Sequence, residues 1–144
     1  ALRLLGNEDA VAFGRLALEA WEAIEKKLLT DLARAGIAIT RSYTCIDHPE
    51  GIAGRRNDSV YLLPNTGAFY HALHADGIAL AKSWVIGDST LELVAGWRAG
   101  LRMAGVRSGL GLEDRTFEVT PELMAADLRE VVLELLTRTG ALHH

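Results

Sequence analysis

Residues 83–100 read S-W-V-I-G-D-S-T-L-E-L-V-A-G-W-R-A-G, and this stretch decides the fold class of the chain. Trp84, Val85 and Ile86 form a short apolar run of strand-forming residues, which Gly87 and Asp88 break. A small-residue helical pattern follows, with Ala95, Gly96, Ala99 and Gly100. Strand, turn and helix in that order build an open α/β sheet, in which ligands bind beyond the carboxyl ends of the strands. Asp88 and Glu92 are therefore expected to face such a crevice.

A carboxylate at that point suits a hard cation such as magnesium, which takes oxygen ligands and keeps part of its water shell while bridging to a substrate phosphate. The plainer reading is an Asp that caps the following helix. The residues alone leave both open.

Upstream, Leu18, Trp21, Ile24, Leu28 and Leu32 recur at helical spacing while Glu22, Glu25, Lys26 and Lys27 take the other face. The polar face mixes signs, so the helix reads as core-facing, not as a membrane or partner helix. Gly36 is placed to cap its end. Ile37 to Thr44 then read as a strand delivering Cys45 and His48 to a loop, Asp47 to Asn65, long enough to suggest function. Asn65 and Thr66 can cap the next helix, which carries Phe69, Ala72 and Leu73 and stops at Asp76-Gly77. His71 and His74 lie three apart on it, but without a third ligand they read as a solvated face.

Downstream, a strand is expected near Met103 to Arg107, and a last helix from Thr120-Pro121 with Leu128, Val131 and Leu135 on its apolar face. The glycines Gly105, Gly109 and Gly111 match neither a P-loop nor a dinucleotide fingerprint and read as a flexible loop. Alternating strands and helices imply a mainly parallel sheet covered on both faces, an α/β fold in three layers.

Composition bounds these readings. With 144 residues, 49% hydrophobic and 24% charged, residues 1–144 are expected to form one soluble domain. No apolar run reaches membrane-spanning length, and the opening lacks the charged-then-apolar pattern of a leader. A net charge of -4 with scattered basic residues argues against nucleic acid as a partner. One cysteine cannot form an internal disulfide, so a cytoplasmic location is the default. His143 and His144 are read as the remnant of an affinity tag, and Trp97 is left open as core or as the contact of a homo-oligomer.

The stretch at 83–100 resembles the last acidic motif of the haloacid dehalogenase (HAD) superfamily, in its histidinol-phosphatase and heptose-bisphosphate-phosphatase branch, where S-W-x-x-G-D precedes a second acid and A-G-x-x-A-G. Cys45-Ile46-Asp47-His48-Pro49-Glu50-Gly51 is similar to the C-x-H-H-P-E-G segment of that branch. Arg107-Ser108-Gly109 resembles the valine-arginine-threonine-glycine that closes its last core strand. The resemblance, carried by these three motifs in the family's order, extends over most of the chain from about Leu18 to Leu136. The resemblance implies a HAD-like, Rossmann-like fold and a phosphatase ancestry. It further implies a small phosphorylated metabolite, a sugar phosphate or similar, as substrate, and Mg2+ held by Asp88 and Glu92 as cofactor.

Departures from the family pattern carry equal weight. The superfamily uses an Asp-x-Asp at the end of its first strand as nucleophile and general acid, and no Asp-x-Asp occurs in these 144 residues. The expectation is a chain that is inactive as it stands, since covalent catalysis needs that nucleophile. Ser59 and Tyr61 replace two zinc-binding cysteines of the family, so Cys45 and His48 cannot close a tetrahedral zinc site and zinc is not expected. Leu62 and Leu63 replace a basic pair. Arg55 and Arg56 either supply the positive charge that pair gave or stand as solvated loop arginines. With Asn65, Thr66 and Ser89 they form the candidate substrate-binding set. Ala1 to Ala10 resembles the helix before the family's second strand and Gly14-Arg15-Leu16 the loop after it, so N-terminal strands are expected to be missing. The rival to a phosphatase is a noncatalytic HAD-like domain for ligand sensing or subunit assembly.

Overall fold

The computed structural model describes residues 7–46 and 58–140, with side chains from residue 15 onward. The expectations for residues 1–6, for Asp47 to Gly51, for Arg55 and Arg56 and for His143 and His144 lie outside the described residues. The chain divides into two compact units, Ala1–Leu62 and Leu63–His144.

The first unit is built on α1, Asn7–Arg34. This helix is continuous through Gly14-Arg15-Leu16, which corrects the expected loop there. A single glycine costs a helix only about 1 kcal/mol relative to alanine, and the surrounding Ala, Leu and Glu residues offset it. Gly36 ends the helix in the left-handed conformation, with its N–H donating to Ala33 and that of Ile37 to Leu32 at 3.0 and 2.9 Å, a Schellman closure.

Residues 37–44 do not form the expected strand. Their alternating pattern is strand-like, but a strand exists only as part of a hydrogen-bonded ladder. Here side chains fasten the segment to α1 instead: Trp21 Nε1 donates to Thr44 Oγ1 at 3.1 Å, and Ser42 and Thr44 donate to the Glu25 carboxylate. The face expected to be core, Trp21, Ile24 and Leu28, is exposed among the described residues, and only Leu18 and Leu32 of that set are half-buried.

In the second unit, α2 (Gly67–Asp76) precedes β1 (Trp84–Gly87), α3 (Thr90–Arg98), β2 (Arg102–Val106), β3 (Leu123–Ala125) and α4 (Leu128–Arg138). The three strands form a parallel sheet in the order β1-β2-β3, with Trp84 opposite Arg102 and Ala104 opposite Leu123. Parallel neighbours need crossover connections, and α3 supplies the one between β1 and β2.

Alternation along the strands assigns the two faces of the sheet. Val85 and Met103 turn to one side, where they pack with Leu93, Ala99 and Leu101. Trp84, Ile86, Ala104 and Val106 turn to the other, against Val131 and Leu135 of α4. The small-residue pattern of α3 now has a cause. A Cβ on Gly96 would lie 2.3 Å from Val85 Cγ1, so only glycine lets α3 settle this close to β1.

The last helix begins at Leu128 rather than at Thr120-Pro121. The Thr-Pro pair carries helix-start signals, but the residues after it pair with β2 as β3. The working cap lies further on. Asp127 accepts the N–H of Glu130 at 2.9 Å, and Glu130 accepts that of Ala126 at 2.9 Å. Trp97 is exposed, which removes the core alternative for it within this chain. No helix among the described residues is long and apolar enough to cross a membrane.

Candidate functional site

β1 ends at Gly87, and Asp88 is the first residue beyond its carboxyl end. A loop leaving β2 closes over Asp88 from the side. Leu110 N–H donates to Asp88 Oδ2 at 2.7 Å, and Leu112 N–H to the Asp88 carbonyl at 2.7 Å. Between them and β2, Gly109 has a φ of 71° and brings its backbone so near that a Cβ would stand 2.0 Å from Asp88 Oδ2. Gly109, read from the sequence as part of a flexible loop, is thus a close-approach residue that fixes one carboxylate oxygen.

Asp88 is not the helix cap. Ser89 holds the N-cap position of α3 and is 5% exposed. Its N–H donates to Glu92 Oε2 at 3.0 Å and its hydroxyl donates to the same carboxylate. Glu92 therefore folds back onto its own helix start, as the Glu of a capping box does. Ser89 is likewise committed inside the cap. Thr66 is half-buried at the N-cap position of α2 and makes no side-chain cap bond, so the capping expected of it is not made; Asn65 is exposed beside it. His71 and His74 are both exposed on α2.

The structure adds a carboxylate that the sequence did not single out. Asp114 accepts the Thr90 N–H with both oxygens, at 2.9 and 3.1 Å, and accepts the Thr90 hydroxyl as well. Thr90, only 2% exposed, takes the Phe117 N–H on the same oxygen at 3.1 Å. The Thr90 hydroxyl, followed by backbone donors, holds the Asp114 carboxyl below its ordinary range, against the opposing effect of burial. No sequence signal points to this pair, since Thr90 on α3 lies 24 positions from Asp114, which sits in a loop without periodicity.

A pH dependence follows. The folded state holds Asp114 below its ordinary value of 3.8, so its contribution to stability is complete above 3.8 and is lost as pH falls through the lower folded value. Glu122, depressed mainly by its hydrogen bond from Arg102, acts in the same direction below its own ordinary 4.5. Acid titration of unfolding in the wild type and in Asp114→Asn is expected to give a shallower acid limb in the variant. Superimposable limbs would show that the bond to Thr90 is not made in solution.

Among the described residues no three His, Cys, Asp or Glu side chains gather as a ready-made metal centre. The donors present are nonetheless hard oxygens, and Asp88 keeps Oδ1 outside its bond to Leu110. One fixed carboxylate fits magnesium, which binds through one or two carboxylates and fills its remaining positions with water and phosphate oxygens.

Residues 63–131, the stretch that holds all of this geometry, match the HAD-hydrolase-like family. This stretch of the chain is similar to HAD-like hydrolases. The chain is 24% identical over 132 residues to the D-glycero-beta-D-manno-heptose-1,7-bisphosphate 7-phosphatase of Mesorhizobium japonicum, covering 91% of this chain and 61% of that protein. It also superimposes on the crystal structure of D,D-heptose 1,7-bisphosphate phosphatase from B. bronchiseptica complexed with magnesium and phosphate. The TM-score is 0.68 at 25% identity, over 82% of this chain and 64% of that one. The HAD-like α/β architecture expected from the motifs is the one observed, and the likeness falls in the heptose-bisphosphate phosphatase branch. The chain spans about three fifths of the length of these relatives.

Proposed function

We propose that this chain is a HAD-like phosphatase unit for a small phosphorylated metabolite of the heptose-bisphosphate kind, with magnesium held in part by Asp88. The observation that carries the reading is the placement of Asp88: first residue past a parallel strand, one oxygen clamped by the Leu110 amide at 2.7 Å, directly before the N-terminus of α3. The names of the two relatives, one of them crystallised with magnesium and phosphate, support the substrate class. Bound magnesium would neutralise phosphate oxygens and orient the ester. Of the two acids, Asp88 makes the direct contact, while Glu92 holds the α3 cap behind it. Asn65 and Thr66, with Arg55 and Arg56 proposed from the sequence alone, select the substrate.

The 144 residues hold no Asp-x-Asp, and that favours a second reading for this chain taken by itself: binding without turnover, as in a ligand-sensing domain. Thermal unfolding with and without magnesium, across a panel of phosphorylated sugars, tests the substrate class. Heptose 1,7-bisphosphate is expected to raise the transition only when magnesium is present, with no phosphate released. A panel in which no phosphorylated sugar shifts the transition would overturn the proposal, and phosphate release would overturn the second reading.

A further inference from the structure

The segment after β2 touches the two residues flanking Ser89, on opposite sides of the start of α3. At its near end Leu110 and Leu112 donate to Asp88, and at its far end Asp114 and Phe117 bond to Thr90. We propose that Asp114 is a positioning residue for Asp88, acting through this segment without itself facing a ligand.

Three observations carry the inference. The contact at Asp88 depends on a backbone pressed against its carboxylate, because Gly109 leaves no space for even a Cβ there. A backbone held that close by two N–H bonds to a single residue needs an anchor further along, since an exposed loop otherwise opens at little free-energy cost. Asp114 is the side chain that supplies the anchor: four residues beyond Leu110, it forks onto the N–H of Thr90 and receives its hydroxyl, and Thr90 is buried and fixed on α3. Leu112, between the two anchors, packs against the Leu93 cluster. Release of Asp114 would let the Leu110 amide leave Asp88 Oδ2 and the carboxylate turn about its own bonds. Partners of this supporting kind typically change metal affinity by about 10–100-fold when removed.

The inference rests on the reading of Asp88 as the magnesium-holding group, so its test has two independent readouts. Amide hydrogen exchange at Leu110 reports the positioning itself, and calorimetric titration with magnesium chloride reports the consequence. In Asp114→Asn and in Thr90→Val, Leu110 is expected to lose protection and magnesium to bind about 10–100-fold more weakly. Thr90→Ser, which keeps both the N–H and the hydroxyl, is expected to restore both. Circular dichroism identifies any variant that fails to fold, and the pair of positions ensures that one loss does not end the test.

Unchanged Leu110 protection in the folded variants overturns the proposal whatever the metal result. Lost protection with unchanged magnesium affinity overturns it as well, provided that Asp88→Asn does lose the metal. If Asp88→Asn also keeps its affinity, the magnesium reading is what fails, and the Leu110 exchange still decides whether Asp114 positions Asp88.

Discussion

Replacing Leu93 by Ala is expected to lower the unfolding free energy of the second unit by about 2–5 kcal/mol, the range for deleting a large buried aliphatic side chain. Leu93 has no exposed surface and is one of the two largest fully buried side chains among the described residues. It sits where α3 meets the sheet, among Val85, Ala99 and Leu101, with Phe69, Leu80 and Leu112 packed around them. The cavity cannot readily collapse. Gly96 already brings α3 against Val85, so the helix has no further room to move inward at that point. Against a total stability of about 5–15 kcal/mol for a domain, such a loss is large. Urea denaturation followed by tryptophan fluorescence measures it, with Leu133→Ala on the exposed side of α4 as a control expected to change little. A loss below about 1 kcal/mol would mean that α3 is not packed as described.

Leu93 also shows why stability and site geometry are linked in this fold. Leu112 leans on the same cluster and, through its amide, holds the Asp88 carbonyl at 2.7 Å. The loop that fixes the candidate carboxylate is thus anchored partly by hydrophobic packing and partly by Asp114.

The second unit was largely legible before its structure. The run from Trp84 to Arg98 declares strand, turn and helix because three signals agree there: β-branched and aromatic residues, a Gly-Asp break, and small residues at helical spacing. The glycine caps at Gly36 and Gly77 were equally plain, since helices commonly end on a left-handed residue and glycine adopts that conformation without a Cβ penalty. β3 was not legible. At three residues it is too short to show a period of two, and Thr120-Pro121 offered helix-start chemistry that pairing with β2 outweighs. Residues 37–44 misled in the opposite way, because alternation records a preference for a ladder and cannot supply the partner strand. On α1 the periodicity identified the apolar stripe correctly but not whether Trp21, Ile24 and Leu28 are covered.

The site was half legible. Asp88 stands out by its position at a strand end, and the structure adds what the sequence could not state, the Leu110 amide that fixes one oxygen. Glu92 stood out as a second ligand through the second acid that follows S-W-x-x-G-D in the family motif. Its carboxylate instead turns back to Ser89, a local bond that the Ser-x-x-Glu spacing also encodes. Asp114 was invisible, because its partner is set by the tertiary path of a loop and not by any repeat.

Asp88→Asn isolates the proposed role of Asp88 in holding magnesium. Asn keeps the size of the side chain and an oxygen able to accept the Leu110 N–H, but removes the charge that a hard cation requires. Titration of the full chain with magnesium chloride by calorimetry, alongside thermal unfolding in the absence of the metal, is the measurement. A saturable magnesium heat is expected in the wild type and is expected to disappear in Asp88→Asn while the metal-free unfolding transition stays in place; equal magnesium affinity in the two proteins would show that Asp88 does not hold the metal.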